Sequence, residues 1–549
     1  MSQLSPSPLK SIDDWHGIKQ LRGFNTSAFA LFLSQQTPHN RIIITATTQE
    51  AHWLYDALNT WCTDQKVLLI PDYETLPFDR YAPSSSSISD RMKTLYQINT
   101  QDTPNLMVVS LKTWVCRTYT PEFLHKHACI IHRGDQIDPH QFVSTLTNAG
   151  YNRVNQVQEN GDVAVNGSII DLFPNGSHQP YRIDFFDQDI DCIHRLDLKT
   201  NGLLESVDSI TVLPANEFDL NSLTDSQYDS IAQYLHQHQV DKIRAKQSFE
   251  GIHNWLPLLH ERMGLIKDFL PHDTQIFVLG NPSMSVGALY EMIGHRHQNS
   301  GHPMALEQLF LPLKEAEQSM AQGIHIPLKP LRTNDPIAPF AAWSHQATRE
   351  EIEQCLIELI QSYSILIIVS NEEKHLRLNR WLADFHQPWP LISPDVFLQK
   401  PKYACALGHL KSSFILKKQR MIILRLDDLM PQSAVPKSQS KKTIHDALSL
   451  NDLKPQQMVV HQEHGIGLYQ GTENIKDQEF LVIEYAKAQK LFLAIHEVHK
   501  LSQYFGSKEH TKIDQLGKPD WKKRCDKAKS DIDRFASGLI EQYAKRSII

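Results

Sequence analysis

The sequence lacks the features that mark membrane-spanning or disulfide-linked proteins. In its 549 residues no apolar run approaches the roughly 18 residues of a membrane span, and the opening Met1–Lys10 is polar, with Pro and Ser. The seven cysteines are dispersed, with no Cys-x-x-Cys pair. An odd, scattered set is typical of reduced thiols, so we expect a cytoplasmic protein with no membrane partner, disulfide or structural zinc.

Strong charge of one sign and clustered metal ligands are also lacking. Lys and Arg total 55 against 62 Asp and Glu, a formal net charge of −7. No overall basic field attracts nucleic acid, so contact with DNA needs a local patch or a further part of the protein. The 28 histidines include two His-x-His pairs, at His236 and His238 and at His295 and His297. No cysteine stands near either pair, and we expect exposed histidines that bind no metal.

A phosphate-binding loop is missing as well. Such a loop needs Gly-x-x-x-x-Gly-Lys-Ser/Thr, because backbone amides cradle the phosphates and the lysine neutralises them. The nearest stretch, Leu21–Ser27, keeps one glycine and a hydroxyl but lacks the second glycine and the lysine. Gly517-Lys518 is followed by Pro519, and no strand ends in an acidic run suited to magnesium. With other catalytic signatures also absent, the sequence predicts no catalytic, cofactor-binding or metal-binding residues.

What the chain does contain is a repeated alternation of strands and helices. Its length predicts about three to five domains. Over 18–130, short apolar strands are predicted at Arg41–Ala46, Val67–Pro71, Leu106–Ser110 and Ala128–Ile131, with helices at Gln49–Trp61 and Ser89–Asn99. The pattern is typical of buried parallel strands in an α/β domain.

The character of the sequence changes near residue 130. Asn160-Gly161 and Asn166-Gly167 are tight-turn signals, and Ser168–Phe173 has the composition of a strand, so we predict a small, mostly antiparallel insert. The α/β pattern resumes with helices over 225–268 and a strand at Gln275–Leu279. After a Pro-rich linker at 326–339, a second α/β unit is predicted from helices at 348–362 and 372–386 and strands at Ile365–Val369 and Met421–Leu426.

The last part is strand-like over Met458–Leu501, with a Gly-rich turn at His464–Gly467. Beyond it, Asp520 could cap a helix whose apolar residues follow a 3.6-residue period from Trp521. No glycine stops this helix before Ile549, so we expect further sequence after it. The predicted fold class is multidomain α/β with a small β-rich insert, a second α/β domain and a C-terminal small β-barrel followed by a helix.

The strand Tyr181–Asp187 carries the first candidate site. Alternate residues of a strand share a face. One face holds Tyr181, Ile183 and Phe185, an ordinary core face. The other holds Arg182, Asp184 and Phe186. An arginine, a carboxylate and an aromatic ring together have the composition of an interface hot spot, although a solvated face with one partly covered Phe is the alternative.

The second candidate site is the β-prone strand Glu479–Tyr485, which is followed after a polar turn by Lys490–Ile495. A small barrel usually buries one face of each strand, so something else must cover part of this apolar surface. We predict that Leu481, with Ile483, anchors a partner that joins by strand addition. Packing against the helix that begins at Trp521 is the alternative.

In order and spacing, these segments resemble the N-terminal half of the bacterial transcription-repair coupling factors. Three groups of motifs carry the resemblance: Asp72–Asp79 with Ser89–Gln97, Gly167–Pro174 with Tyr181–Asp187, and Val459–Gly471 with Tyr485-Ala486 and Lys490-Leu491. The first two match the family's UvrB-like module and the third its RNA-polymerase-interacting domain. Residues 330–440 match only in pattern.

The resemblance implies a domain order and a function. The implied segments are a UvrB-like domain 1a at 1–128, a β-rich UvrA-binding domain 2 at 129–212, a UvrB-like domain 1b at 213–330, an α/β domain of unknown role at 340–432, an RNA-polymerase-interacting domain at 451–520, and at 521–549 the start of a helix leading to a translocase motor. The implied function is a scaffold for transcription-coupled repair. It would bind stalled RNA polymerase through the β subunit, using Leu481 and Ile483, and recruit UvrA. ATP, magnesium and DNA are expected only for the motor, which this chain lacks.

Two departures from the family pattern qualify this expectation. UvrA binding is expected at Asn166, Arg182, Asp184 and Phe186. Relatives carry an arginine at the position of Asn166, and the lost charge-assisted hydrogen bond predicts an interface weaker by roughly 1–3 kcal/mol. Tyr81–Ile88 is short and Ser-rich and offers no platform for stacking bases, so damage verification is not expected. The alternatives are the front part of an ATP-hydrolysing translocase and a stand-alone CarD-like regulator, against which the segment 150–195 argues.

Overall fold

The protein is seen in a computed structural model with two compact units, Met1–Ser433 and Ala434–Ile549. The structure describes residues 2–4, 18–62, 65–73, 75, 78, 83–101, 103–198, 200, 202–249, 251–328, 349–382, 388–398, 401–429, 457–461, 464–475, 478–494, 501–503, 513–515, 521 and 523–524.

The strands of the first unit are, in chain order, β1 Ser2–Leu4, β2 Ile18–Leu21, β3 Arg41–Thr45, β4 Lys66–Leu69, β5 Asn105–Ser110, β6 Cys129–His132, β7 Asn152–Arg153, β8 Asp162–Asn166, β9 Ile169–Leu172, β10 Tyr181–Phe186, β11 Asp189–Leu196, β12 Leu203–Ser206, β13 Ser209–Val212, β14 Gln275–Leu279, β15 Ile324–Ile326, β16 Ser364–Val369, β17 Tyr403–Leu407, β18 Phe414–Leu416 and β19 Met421–Arg425.

Its helices are α1 Thr26–Ser34, α2 Thr48–Trp61, α3 Ser85–Thr100, α4 Leu111–Val115, α5 Pro121–His127, α6 Pro139–Asn148, α7 Asp225–Tyr234, α8 Gln237–Arg244, α9 Leu256–Leu259, α10 Pro282–Ser300, α11 Leu306–Leu309, α12 Leu313–Gln322, α13 Arg349–Ser362, α14 Glu372–Trp381, α15 Pro394–Phe397 and α16 Leu426–Leu429. Short 3₁₀ turns lie at Ile252–Trp255 and Ile266–Phe269. Among the described helices, none combines the length and apolar character needed to cross a bilayer.

A seven-stranded parallel sheet forms the first layer, in the order β1-β2-β15-β14-β3-β5-β4. Its central strands β3 and β5 are buried along their whole length, because helices cover both faces. The predicted strands at Arg41–Ala46, Val67–Pro71, Leu106–Ser110 and Gln275–Leu279 and the two predicted helices are confirmed. Because β14 pairs directly with β3, the chain returns to this sheet after the insert.

One predicted strand of this sheet is wrong. Ala128–Ile131 was expected to be a buried parallel strand, but β6 pairs antiparallel with β13 in a separate two-stranded sheet. Only Ile131 of β6 is buried, and Ile130 is half exposed. A run of four apolar residues is too short to distinguish a central strand from one that pairs with the exit of an insert.

The insert is a six-stranded sheet in the order β12-β11-β10-β9-β8-β7, antiparallel except between β7 and β8. The predicted turns at Gly161 and Gly167 are confirmed, with φ of 90° and 66° in the left-handed region that glycine tolerates. The inner face packs against α6, whose Phe142 and Leu146 share a core with Ile183 and Phe185. The outer face is left for side chains of mixed character.

The second α/β domain has a four-stranded sheet in the order β17-β16-β19-β18. The predicted strands here are confirmed. The predicted helix 372–386 is described only to Trp381, and 383–387 lie outside the described residues. One face of the sheet, including Leu366 and Phe414, shares a core with Leu54 and Trp61 of α2. This domain therefore packs directly on the helices of the first sheet.

The second unit contains an antiparallel five-stranded sheet in the order β23-β22-β21-β20-β24. Its strands are β20 Gln457–His461, β21 Gly465–Ile475, β22 Gln478–Tyr485, β23 Gln489–Ala494 and β24 Leu501–Gln503. Residues 329–339 of the predicted linker at 326–339 lie outside the described residues, as does the predicted helix 521–549 apart from 521, 523 and 524.

Candidate partner-binding surfaces

The outer face of the insert gathers the residues predicted from the alternation of β10. Asn166 lies opposite Ile169, and Ile169 lies opposite Asp184, so Asn166 and Asp184 stand in one row across β8, β9 and β10. The next row contains Arg182, opposite Asp171. The predicted division of β10 into two faces is confirmed, since Ile183 and Phe185 are buried and the alternate residues are not.

Arg182 is held by a bidentate ion pair. Its Nε and Nη2 donate to the two carboxylate oxygens of Asp171 at 2.7 and 2.8 Å. These hydrogen bonds raise the pKa of Arg182 above its ordinary value. Asp171 is almost fully buried, at 4% exposure, so Arg182 also neutralises a carboxylate that water does not reach. Arg182 is therefore both a presented cation and a structural partner.

Asp184 lies beside Arg182 and accepts a hydrogen bond from the thiol of Cys192 at 3.2 Å. Burial first, and then the hydrogen bond to Asp184, raise the pKa of Cys192 to about 11. The thiol therefore keeps its proton at neutral pH and remains a donor. The carboxylate is oriented across the outer face and is only partly covered.

Phe186 ends β10 at the tip of the β10–β11 hairpin and is 78% exposed. Asp187 follows it with a positive φ of 57°, which reverses the chain immediately. Asn166 is also exposed, at the tip of the neighbouring β8–β9 hairpin. The structure thus brings all four predicted residues to one end and one face of the insert, with the aromatic ring furthest into solvent.

The five-stranded sheet corrects the second prediction. Leu481 and Ile483 are both 0% exposed and belong to a core that includes Val459, Tyr469 and Tyr485. Neither side chain can anchor an outside partner while this core is intact. The prediction was wrong because β22 is apolar on both faces, its Val482 also being buried, so alternation could not show which face is covered.

The accessible feature of this sheet is its edge. β23 pairs with β22 on one side, and within the described residues no strand pairs with its other side. Phe492 of β23 lies opposite Val482, on the face away from the core, and is 42% exposed. Sequence reasoning missed Phe492, although the alternation in Lys490–Ile495 could have singled it out. An open edge with an exposed ring is suited to strand addition.

The loop that stands where a phosphate-binding loop would be is filled by the chain itself. Asn25 caps α1, accepting at its Oδ1 from the Ala28 N–H at 2.8 Å, and its Nδ2 donates to the Ser413 carbonyl at 3.2 Å. The Ser412 N–H donates to Ser27 Oγ at 3.2 Å. Phe24 points into the core at 1% exposure. Residues of the second α/β domain therefore cover the helix N-terminus at which a phosphate would otherwise bind.

A buried polar cluster joins the insert to the first sheet. Tyr73 donates to Glu217 Oε2 at 2.5 Å, and Arg91 Nε lies 3.7 Å from the other oxygen. Glu217 is 0% exposed and stands where the chain leaves the insert. Burial lowers the pKa of His253, whose Nε2 lies 3.9 Å from Glu217. Sequence reasoning missed this cluster because its members are far apart in the chain.

Metal binding finds no support in the described part of the chain, where no group of three or more His, Cys, Asp or Glu side chains is arranged to hold an ion. His236 and His238 are exposed, as predicted, with ring centroids 6.1 Å apart. His297 is only half-buried, and its ring hydrogen-bonds to the Met304 carbonyl at 2.7 Å.

Two family models match the chain at these surfaces. Residues 130–218 match the UvrB interaction domain, and residues 453–505 match the CarD-like/TRCF RID domain. The first contains the Asn166–Phe186 surface and the second contains β20–β24. Each match thus coincides with one of the two surfaces that geometry singles out.

Curated relatives match over nearly the whole chain. A transcription-repair-coupling factor of Escherichia coli K12 is 28% identical over 537 residues, 92% of this chain and 46% of the relative. The protein of the same name from Haemophilus influenzae is 29% identical over 94% of this chain and 47% of its own length. That from Bacillus subtilis is 22% identical over 96% and 48%.

The chain spans about half the length of the curated relatives it matches. It matches both the UvrB interaction domain, at residues 130–218, and the CarD-like/TRCF RID domain, at residues 453–505. By domain content and sequence, the chain is homologous to the transcription-repair-coupling factors over their N-terminal half.

Proposed function

We propose that this chain is a scaffold for transcription-coupled DNA repair, which binds RNA polymerase stalled at a lesion and recruits UvrA. The observation that carries the proposal is the presence, in one chain, of matches to a UvrB interaction domain, on which Phe186 is exposed, and to a RID domain, whose β23 has one side with which no described strand pairs. A stand-alone CarD-like regulator is not favoured, because such a protein has no use for the insert.

UvrA is assigned to the surface formed by Asn166, Arg182, Asp184 and Phe186. The exposed ring of Phe186 supplies apolar area at the hairpin tip, and the oriented Arg182 and Asp184 supply directional charge beside it. Hot spots combine such a ring with well-placed charged groups. Asn166 stands at the margin of the same surface, so a weaker contact there leaves the centre of the interface intact.

RNA polymerase is assigned to the β23 edge of the RID domain, and within polymerase to the β subunit. Strand addition would use the side of β23 with which no described strand pairs, and Phe492 would fill a pocket on the partner. Phe492 replaces Leu481 and Ile483 as the proposed anchor.

ATP-driven movement on DNA is assigned to the part of the family that this chain does not span. We expect that the chain neither binds nor hydrolyses ATP, because Leu21–Ser27 lacks the lysine and Ser412 and Ser413 cover the α1 terminus. Equilibrium dialysis with ATP and magnesium tests this. ATP binding that disappears on Thr26→Ala would contradict it.

A bridging assay tests the scaffold function. Immobilised UvrA should retain purified RNA polymerase only when this chain is added. Phe186→Ala should weaken retention of the chain by UvrA, whereas Phe492→Arg should leave the chain on UvrA but lose the polymerase. Gln188→Ala, at the same hairpin tip, is the matched control. The proposal would be overturned if UvrA retained as much polymerase without the chain as with it, or as much with each of the two variants as with the wild-type chain.

A further inference from the structure

A polar groove lies between α3 and the insert, and its lining includes none of Asn166, Arg182, Asp184 and Phe186. Its cavity measures about 650 Å³. One wall is a face of α3 that includes Lys93, Tyr96 and Gln97, and the other is formed by the segment before β10, by Arg195 and by β13. The Gly176 N–H donates to Ser89 Oγ at 2.8 Å and fixes the two walls together. The groove is therefore a built feature of the fold.

The lining of the groove is cationic. Its charged side chains are Lys93 and Arg195, it contains no Asp or Glu, and His178 adds an imidazole. Lys93 Nζ, which can only donate, lies 3.1 Å from His178 Nε2. Lys66 donates to Gln101 Oε1 at the same end of α3, and burial together with the ammonium of Lys93 lowers its pKa. Arg195 Nη1 forms an ion pair with the exposed Glu205, which does not itself line the groove.

The groove also contains an unused strand edge. The Arg133 N–H bonds to the Asp208 carbonyl, which makes this a hydrogen-bonded pair of the β6–β13 ladder. Pairs alternate in an antiparallel ladder, so Ile210 and Val212 also bond to β6. The N–H and C=O groups of Ser209 and Thr211 therefore point away from β6. Both residues line the groove, and no described strand pairs with that edge.

The neighbouring residues show that this edge is suitable for pairing. Leu213 lies two residues after Thr211, so its main-chain groups point to the same side. It forms an isolated antiparallel bridge with Asn175, and its carbonyl accepts from Tyr151 Oη at 2.7 Å. The fold thus already satisfies the edge at Leu213 and leaves it open at Thr211 and Ser209. An incoming main chain would continue a pairing that the protein itself begins.

We propose that this groove binds an extended, acidic segment of a partner protein, which adds as a strand to β13 while its carboxylates face Lys93 and Arg195. The free edge favours a peptide over a nucleic acid, because a phosphodiester backbone has no N–H to donate and cannot continue the ladder. The cationic lining, which contains no carboxylates, favours a segment of negative charge. The site goes beyond the proposed function and uses none of its surface residues.

The test uses the full chain and a fluorescein-labelled peptide, Glu-Thr-Glu-Val-Glu-Thr-Glu-Val, followed by fluorescence anisotropy at low salt. We expect saturable binding, about tenfold weaker for Lys93→Glu and weaker again for Lys93→Glu combined with Arg195→Ala. Lys242→Glu, an exposed change on α8, is the matched control and should bind as wild type. A peptide with glutamine in place of glutamate should bind at least about tenfold more weakly.

Main-chain pairing is tested separately. Thr211→Pro removes an outward N–H without touching the bonds to β6, and proline is tolerated at a strand edge. It should weaken binding of the acidic peptide. A peptide with alternate amides N-methylated should bind the wild-type chain as weakly as the unmodified peptide binds Thr211→Pro. The methylated peptide needs no protein variant, so its binding tests main-chain pairing even if Thr211→Pro fails to fold. No saturable binding, equal binding of the methylated peptide, or equal effects of Lys93→Glu and Lys242→Glu would overturn the proposal. So would tighter binding of an oligothymidylate that Thr211→Pro leaves unchanged.

Discussion

The insert and the RID domain offer partners two different parts of a β-sheet. The insert presents a face, where side chains of β10 project and where the proposed recognition groups are a ring, a guanidinium and a carboxylate. The RID domain presents an edge, the side of β23 with which no described strand pairs, and one exposed ring lies beside it. Binding through a face depends on the identity of individual side chains, whereas binding through an edge depends on the core residues that hold the edge strand in place. Mutations therefore separate the two surfaces by effect on binding and on stability.

The largest effect is expected in the RID domain, from Leu481→Arg. A charged side chain in a fully buried position has no partner and cannot be hydrated, so unfolding should become easier by at least about 4 kcal/mol. Circular dichroism on heating measures this loss. Phe492→Arg is the control: it should melt as wild type and lose only polymerase binding. A stable, folded Leu481→Arg chain would place Leu481 outside the core.

The next effect separates structure from recognition on the insert face. Arg182→Ala leaves Asp171 buried without a cation and should lower the free energy of unfolding by about 2–3 kcal/mol. Urea titration of the single variants and of Arg182→Ala combined with Asp171→Ala measures it. The double variant should recover part of the loss. If all three variants were as stable as the wild-type chain, the pair would contribute nothing to folding.

Phe186→Ala should affect recognition alone. The ring is largely exposed, so its loss should change the free energy of unfolding by less than about 0.5 kcal/mol. Binding to purified UvrA should weaken by about 1–3 kcal/mol in titration calorimetry if the ring is a hot spot. Unchanged affinity beside an unchanged melt would remove Phe186 from the interface.

The smallest effect is a dependence of the first unit on acid. His302 packs 4.2 Å from the Trp255 ring centroid, and both its ring nitrogens are buried without a hydrogen-bond partner. Burial, then the nearby His297, lower its pKa from 6.5 to about 4. Between these values the unfolded chain binds a proton that the native chain refuses, so stability present above pH 6.5 is lost as the pH falls towards 4.

We expect this histidine to contribute about 1–2 kcal/mol to the fall, measured by urea titration at stepped pH. His302→Phe keeps a ring against Trp255 and should flatten the profile. An identical profile for both chains would show that other groups control the response. The binding surfaces are best compared at neutral pH, where this contribution is constant.

The parts of the fold that could be predicted were those whose sequence pattern fits only one secondary structure. Ile42–Ile44 and Val108 lie in runs buried on both faces, and the strands followed from them. The mixed composition of Arg182, Asp184 and Phe186 likewise identified an outer face. In β22, three consecutive apolar residues are all buried, so no pattern could show which of them point inward. Glu217, Arg91 and the β13 groove depend on distant segments meeting, for which a single sequence holds no periodic signal.

The contact between Asn25 and Ser413 has a consequence for how this unit is controlled. An interface closed by a nucleotide opens and closes with the supply of that nucleotide. Here the chain's own backbone occupies the helix terminus, and the shared core behind it includes Leu366 and Leu54. We therefore expect that the contact between the two α/β domains does not depend on the concentration of a nucleotide.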